Sequence, residues 1–114
     1  MAKHFEDAVL LEHIIEAIDA IQLFISNVDK ETFMNDLLIQ SAVIRQFEIM
    51  GEAAKALSSR FKTQHPDIVW EEMTGMRNKL IHDYFGVELE VVWDTIQKDL
   101  PDLQQQLLPL VKNS

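Results

Sequence analysis

Residues 77–84 read Arg77-Asn78-Lys79-Leu80-Ile81-His82-Asp83-Tyr84. Within eight residues stand a permanent cation, a base with a free pKa of about 6.5 and the chain's only tyrosine. A planar guanidinium can hold a phosphate with two parallel bonds and stabilise charge in a transition state. An imidazole can move protons at neutral pH. Together they supply what metal-free phosphodiester chemistry requires, and the neutral amide of Asn78 could orient a phosphate oxygen or the histidine. On a helix each residue advances about 100° and about 1.5 Å. Tyr84 then returns to within about 20° of Arg77, about 10 Å along the axis, whereas His82 stands about 140° round. His82 can join Arg77 only by long side-chain reach, by helix unwinding near Gly86, or across a subunit interface. The plainer reading leaves Arg77 and Lys79 solvated, makes His82 a last-turn cation favoured by the helix dipole, and makes Tyr84 a packing residue with a wet hydroxyl.

A second polar group lies upstream, at Arg45, Glu48, Gly51 and Glu52. Spacings of three and four put Arg45, Glu48 and Glu52 on one helix face. Gly51 costs about 1 kcal/mol relative to alanine inside a helix, so a close approach by another backbone is the natural reason for it. Two readings stay open here. One is an exposed ion pair beside a packing glycine, the other a buried carboxylate, Glu48 or Glu52, that partners Arg77 or His82.

These residues need helices to hold them. The first 50 residues contain neither glycine nor proline. Val9, Leu10, Ile14, Ile18, Ile21 and Ile25 recur at helical spacing, which predicts an amphipathic helix over about 4–27. Asn27-Val28-Asp29-Lys30 is a polar break in which Asp29 and Thr32 offer capping oxygens. Phe33, Leu37, Ile44, Phe47, Met50, Ala54, Leu57 and Phe61 then predict one helix over about 31–62, about 45 Å long. Gln64-His65-Pro66-Asp67 is the clearest turn, with Asp67 as a candidate cap for a helix ending near Gly86. A fourth helix carries Val87, Val91, Trp93 and Ile96, and Pro101 should kink or restart it before Leu103, Leu107, Leu108 and Leu110. The expected architecture is a single domain, residues 1–114, folded as an all-α antiparallel bundle of four or five helices.

Composition narrows the chemistry. Ten Lys and Arg against 19 Asp and Glu give a net charge of −9, so any nucleic-acid contact must use a local basic patch and be salt-sensitive. The chain has no cysteine, which removes disulfides, thiolate zinc sites and cysteine nucleophiles and fits a reducing compartment. The N-terminal residues turn acidic at once without an apolar signal core. No stretch approaches the roughly 18 apolar residues of a membrane span, so a cytoplasmic location is expected. Di-iron bundles want Glu-x-x-His, and none of His4, His13, His65 or His82 has a glutamate three residues before it. No phosphate loop or dinucleotide fingerprint surrounds the three glycines. No cofactor is expected.

The blocks Arg45 through Ala54, His65 through Trp70, and Gly75 through Tyr84, with Val92-Trp93 and Asp99-Leu100-Pro101, resemble the HepT-like family of HEPN domains. The likeness covers nearly the whole chain, and several blocks in the right order are more specific than any one. The resemblance implies an α-helical homodimer in which two copies of the motif line a cleft on the two-fold axis. It implies metal-independent RNA cleavage by the toxin of a toxin–antitoxin pair, with Arg77, Asn78 and His82 as catalytic residues. It further implies a partner nucleotidyltransferase that inactivates the toxin by adding AMP to Tyr84. Glu48, Glu52 and Arg45 take supporting roles in this reading. A shared cleft would also answer the helical geometry, because one chain's His82 need not stand over its own Arg77. The alternative is a non-catalytic helical companion that binds a nucleotidyltransferase and offers it the motif as a docking or modification surface.

Overall fold

Leucine and isoleucine at three- and four-residue spacing organise the first helix, α1 (Asp7–Phe24). They place Leu10, Leu11, Ile14, Ala17, Ile18 and Ile21 in the core. The structure, a computed structural model, describes residues 6–82 and 88–112, and for residues 79–82 and 112 the backbone alone. The helix stops short of residue 27 because Asn27 takes a left-handed φ of 63°, a conformation asparagine tolerates better than most residues. The chain resumes with α2 (Lys30–Asn35). Asp29 caps it as expected, accepting a 2.8 Å hydrogen bond from the Thr32 amide, and that bond holds the Asp29 carboxyl below its ordinary pKa.

The single 45 Å helix expected over 31–62 is not formed. Three segments replace it: α2, α3 (Leu37–Ala56) and α4 (Ser59–Gln64). The breaks fall where short polar side chains compete for backbone amides. Asp36 accepts from the Ile39 amide at 3.1 Å, and Ser58 accepts from the Phe61 amide at 3.0 Å. Asp7 fixes the second break from outside, taking the Ser58 amide at 2.8 Å and its hydroxyl at 2.7 Å. That contact joins the start of α1 to the end of α3, so the two helices run antiparallel.

The fifth helix, α5 (Trp70–His82), begins two residues later than a cap at Asp67 would start it. Its entry is fixed by aromatic packing and not by a carboxylate. The Trp70 indole donates to the His65 carbonyl at 3.0 Å, and the Phe61 ring packs against both His65 and Trp70, with centroids 4.7 and 5.8 Å apart. The His65-to-Trp70 block is therefore a structural clasp. The expected end of this helix at Gly86 lies outside the described residues.

The C-terminal arm comprises α6 (Leu89–Asp94), a π-helical turn (Thr95–Asp99) and α7 (Leu100–Lys112). The α-helix restarts around Pro101, as expected. The proline sits in the first turn of α7, directly after the wide turn. A proline ring inside a regular helix collides with the carbonyl four residues back, and an i→i+5 turn moves that carbonyl aside. Val92, Ile96, Leu100, Leu103 and Leu107 from this arm are buried. Phe33 of α2 packs on Trp93, with ring centroids 5.3 Å apart.

Four helical arms result, and the all-α expectation holds among the described residues. The third helix is the hub, packed on α1 along one side and on α5 along the other, while α7 closes against α1. The described core is wholly apolar. No helix is long and apolar enough to cross a membrane.

Candidate active site

The seam between α3 and α5 is set by one missing side chain. A Cβ built on Gly51 would overlap the Cβ of Arg77 and stand 2.8 Å from the Met73 carbonyl oxygen and 3.0 Å from the Arg77 Cγ. Only glycine lets the two backbones approach this closely, as the cost of a mid-helix glycine suggested. Gly75, the other helical glycine, has nothing within 4 Å of its would-be Cβ.

The close approach fixes Arg77 at its root. Its side chain is 23% exposed and leads away from the Gly51 contact toward the surface. One terminal nitrogen, Nη1, donates to the Asn78 side-chain oxygen at 3.0 Å. The other, Nη2, lies 3.5 Å from the Glu52 carboxylate, longer than the 2.7–2.9 Å of a strong charge-assisted hydrogen bond. The third nitrogen, Nε, is buried without an acceptor. The guanidinium is thus anchored but under-satisfied, with donors still to be used by an anion.

Of the upstream polar group, Glu52 alone reaches the motif among the described side chains, and it is half exposed, not buried. Glu48 is half buried and Arg45 exposed. Neither forms an ion pair among the described residues, so an Arg45–Glu48 pair, one of the two open readings, is not made. Asn78 meets the arginine through its carbonyl oxygen, which leaves its amide N–H groups for a ligand. His82 is the last described residue of α5. The helix is regular from Arg77 to His82, and the unwinding expected near Gly86 lies outside the described residues. Tyr84 lies outside the described residues.

The seam also carries a groove that the sequence reading did not foresee. It measures about 270 Å³, with Phe47, Met50, Met73 and Met76 among its apolar walls and Glu72, Asp99 and Asp102 on its rim. Its parts come from α3, α5, the π turn and α7, which no local spacing brings together. Carboxylates on its rim make this groove a poor place for an anion.

Residues 14–110 match the family described as "Ribonuclease HepT-like". The chain is 47% identical over 102 residues to the probable ribonuclease HepT of Thermococcus cleftensis, covering 90% of this chain and 93% of that protein. It is 37% identical over 102 residues to a protein of Caldanaerobacter subterraneus subsp. tengcongensis named as an RNase, covering 90% and 91%. A third protein so named, from Methanocaldococcus jannaschii, is 36% identical over 107 residues, covering 94% and 97%. No solved structure is significantly similar.

Proposed function

We propose that this chain, which belongs to the HepT-like ribonuclease family, cleaves RNA without a metal ion at a site built on Arg77 and His82. The observation that carries the reading is the state of Arg77. Its guanidinium is rooted by the Gly51 contact and under-satisfied at its tip, five residues before a histidine on the same helix. In the reaction the ribose 2′-hydroxyl attacks the adjacent phosphorus as His82 takes its proton. Arg77 stabilises the charge on the phosphorane, with Asn78 as a second donor. The bond to the 5′-oxygen breaks, that oxygen takes up a proton, and a 2′,3′-cyclic phosphate remains. Two copies of the motif facing each other in a homodimer would bring a partner's His82 to Arg77, which the 140° offset on one regular helix favours.

Single-stranded RNA incubated with pure protein in excess EDTA should be cut to products ending in a 2′,3′-cyclic phosphate or its opened form. The same preparation should sediment at about twice 13.2 kDa. Strict dependence on magnesium would refute the mechanism, and a clean monomer would refute the shared cleft. Intact RNA under all conditions would favour the non-catalytic companion.

The regulatory half of the reading concerns Tyr84. As a toxin, the chain would be silenced by a partner nucleotidyltransferase. The Tyr84 phenol attacks the α-phosphorus of ATP, pyrophosphate leaves, and AMP stays on the ring. Seven residues from Arg77, close to its helical stripe, the new phosphate would compete for the guanidinium that substrate needs. Co-expression with the partner should add AMP-sized mass to the peptide containing Tyr84, and Tyr84→Phe should block it. Mass found on another peptide would remove Tyr84 from this role.

A further inference from the structure

We infer that Glu52 is the internal competitor of the phosphate that Arg77 binds, and so sets how strong an anion must be to occupy the site. The inference rests on the assignment of Arg77 as the phosphate ligand and adds a residue to it. Three observations carry it. Glu52 is the one carboxylate paired with Arg77 among the described residues, and it faces the Nη2 end of the guanidinium. The contact is loose, 3.5 Å with the Glu52 side chain 53% exposed, so the carboxylate can leave for water at little cost. The pair also stands beside the Gly51 contact, which holds the Arg77 root still while its partner exchanges.

Without Glu52, an arginine whose Nε already lacks an acceptor would keep only its bond to Asn78. Glu52 supplies the second, loose partner in the free protein. A phosphate diester then replaces it only by offering two oxygens in the bidentate arrangement a guanidinium prefers, and the displaced carboxylate swings outward. Weak monovalent anions, with no such geometry, stay out. In a chain of net charge −9, this makes Glu52 a specificity-determining residue at the one place where its charge bears on Arg77.

The test uses the full-length protein and a single-stranded DNA oligonucleotide, which carries the phosphodiester but lacks the 2′-hydroxyl and cannot be cleaved. Fluorescence anisotropy should show Glu52→Gln binding it about two- to fivefold more tightly, the range expected on releasing a partly exposed ion pair. Glu52→Ala should act in the same direction. Chloride should also inhibit RNA cleavage more strongly in either variant than in the parent. Glu12→Gln, the same charge change at an exposed site on α1, should leave affinity unchanged and so separates a local effect from a change in net charge. Arg77→Ala tests the underlying assignment: if it binds the oligonucleotide as tightly as the parent, Arg77 is not the phosphate ligand. If Arg77→Ala weakens binding while Glu52→Gln leaves it equal or weaker, the assignment stands and the competitor role is overturned.

Discussion

Arg77→Ala and His82→Ala are each expected to abolish detectable RNA cleavage while leaving the helical spectrum and melting temperature nearly unchanged. Removing a proton-transfer group costs about 10²–10⁴ in rate, and removing a positioned donor to a developing oxyanion costs about 10²–10³. Stability should hardly move for Arg77. The substitution deletes a loose, partly exposed ion pair, worth about 0–1 kcal/mol, and also removes a buried nitrogen that lacks an acceptor. The regular helix between the two residues makes a sharper test possible. If a partner's His82 serves each Arg77, mixing the two inactive variants will form heterodimers holding one intact site, and part of the activity will return. If both residues act within one chain, no mixture recovers any. Full activity in either single variant would end the assignment of that residue.

The second large effect is expected at Gly51. Its alanine variant brings a methyl group against the Arg77 Cβ and the Met73 carbonyl, both close to the backbone and unable to swing aside. Overpacking of this kind costs about 1–3 kcal/mol, and relief requires α3 and α5 to part. Arg77 moves with α5, and a shift of about 1 Å can cost about 10²-fold in rate. Gly51→Ala should therefore lose about 2 kcal/mol in urea unfolding and most of its activity even where fully folded. Gly75→Ala, on the same helix as Arg77 but facing open space, should instead gain about 0.5–1 kcal/mol from helix propensity. Equal behaviour of the two alanine variants would mean that the seam is not set by Gly51.

What could be read in the sequence follows from the range of the interactions involved. The apolar stripe of α1, the cap at Asp29 and the close approach at Gly51 are each written in a few neighbouring residues, and each is present. The breaks at Asp36 and Ser58 were missed because the apolar spacing runs through them unbroken. Short polar side chains decide those breaks, and one is settled by Asp7, 51 positions away. At the site, the sequence left Glu48 and Glu52 as equal candidates for Arg77, since both share the relevant face. Only the packing of α3 on α5 selects Glu52. The groove beside Met73 draws on four elements, so no single stretch announces it.

The π turn at Thr95–Asp99 bears on how this chain can change in length. In a straight α-helix, eight residues make about 2.2 turns, which would leave Val92 and Leu100 about 80° apart. Both are buried, as is Ile96 between them, because a turn closed by i→i+5 bonds takes up the surplus residue. The turn thus holds one residue more than a regular helical turn, absorbed as a change of winding. A chain shorter by one residue here would need only ordinary helix to keep Leu103 and Leu107 toward α1. The same loss within α7 would rotate the residues beyond it by about 100°. A single-residue deletion made in this interval should therefore be tolerated better than one within α7.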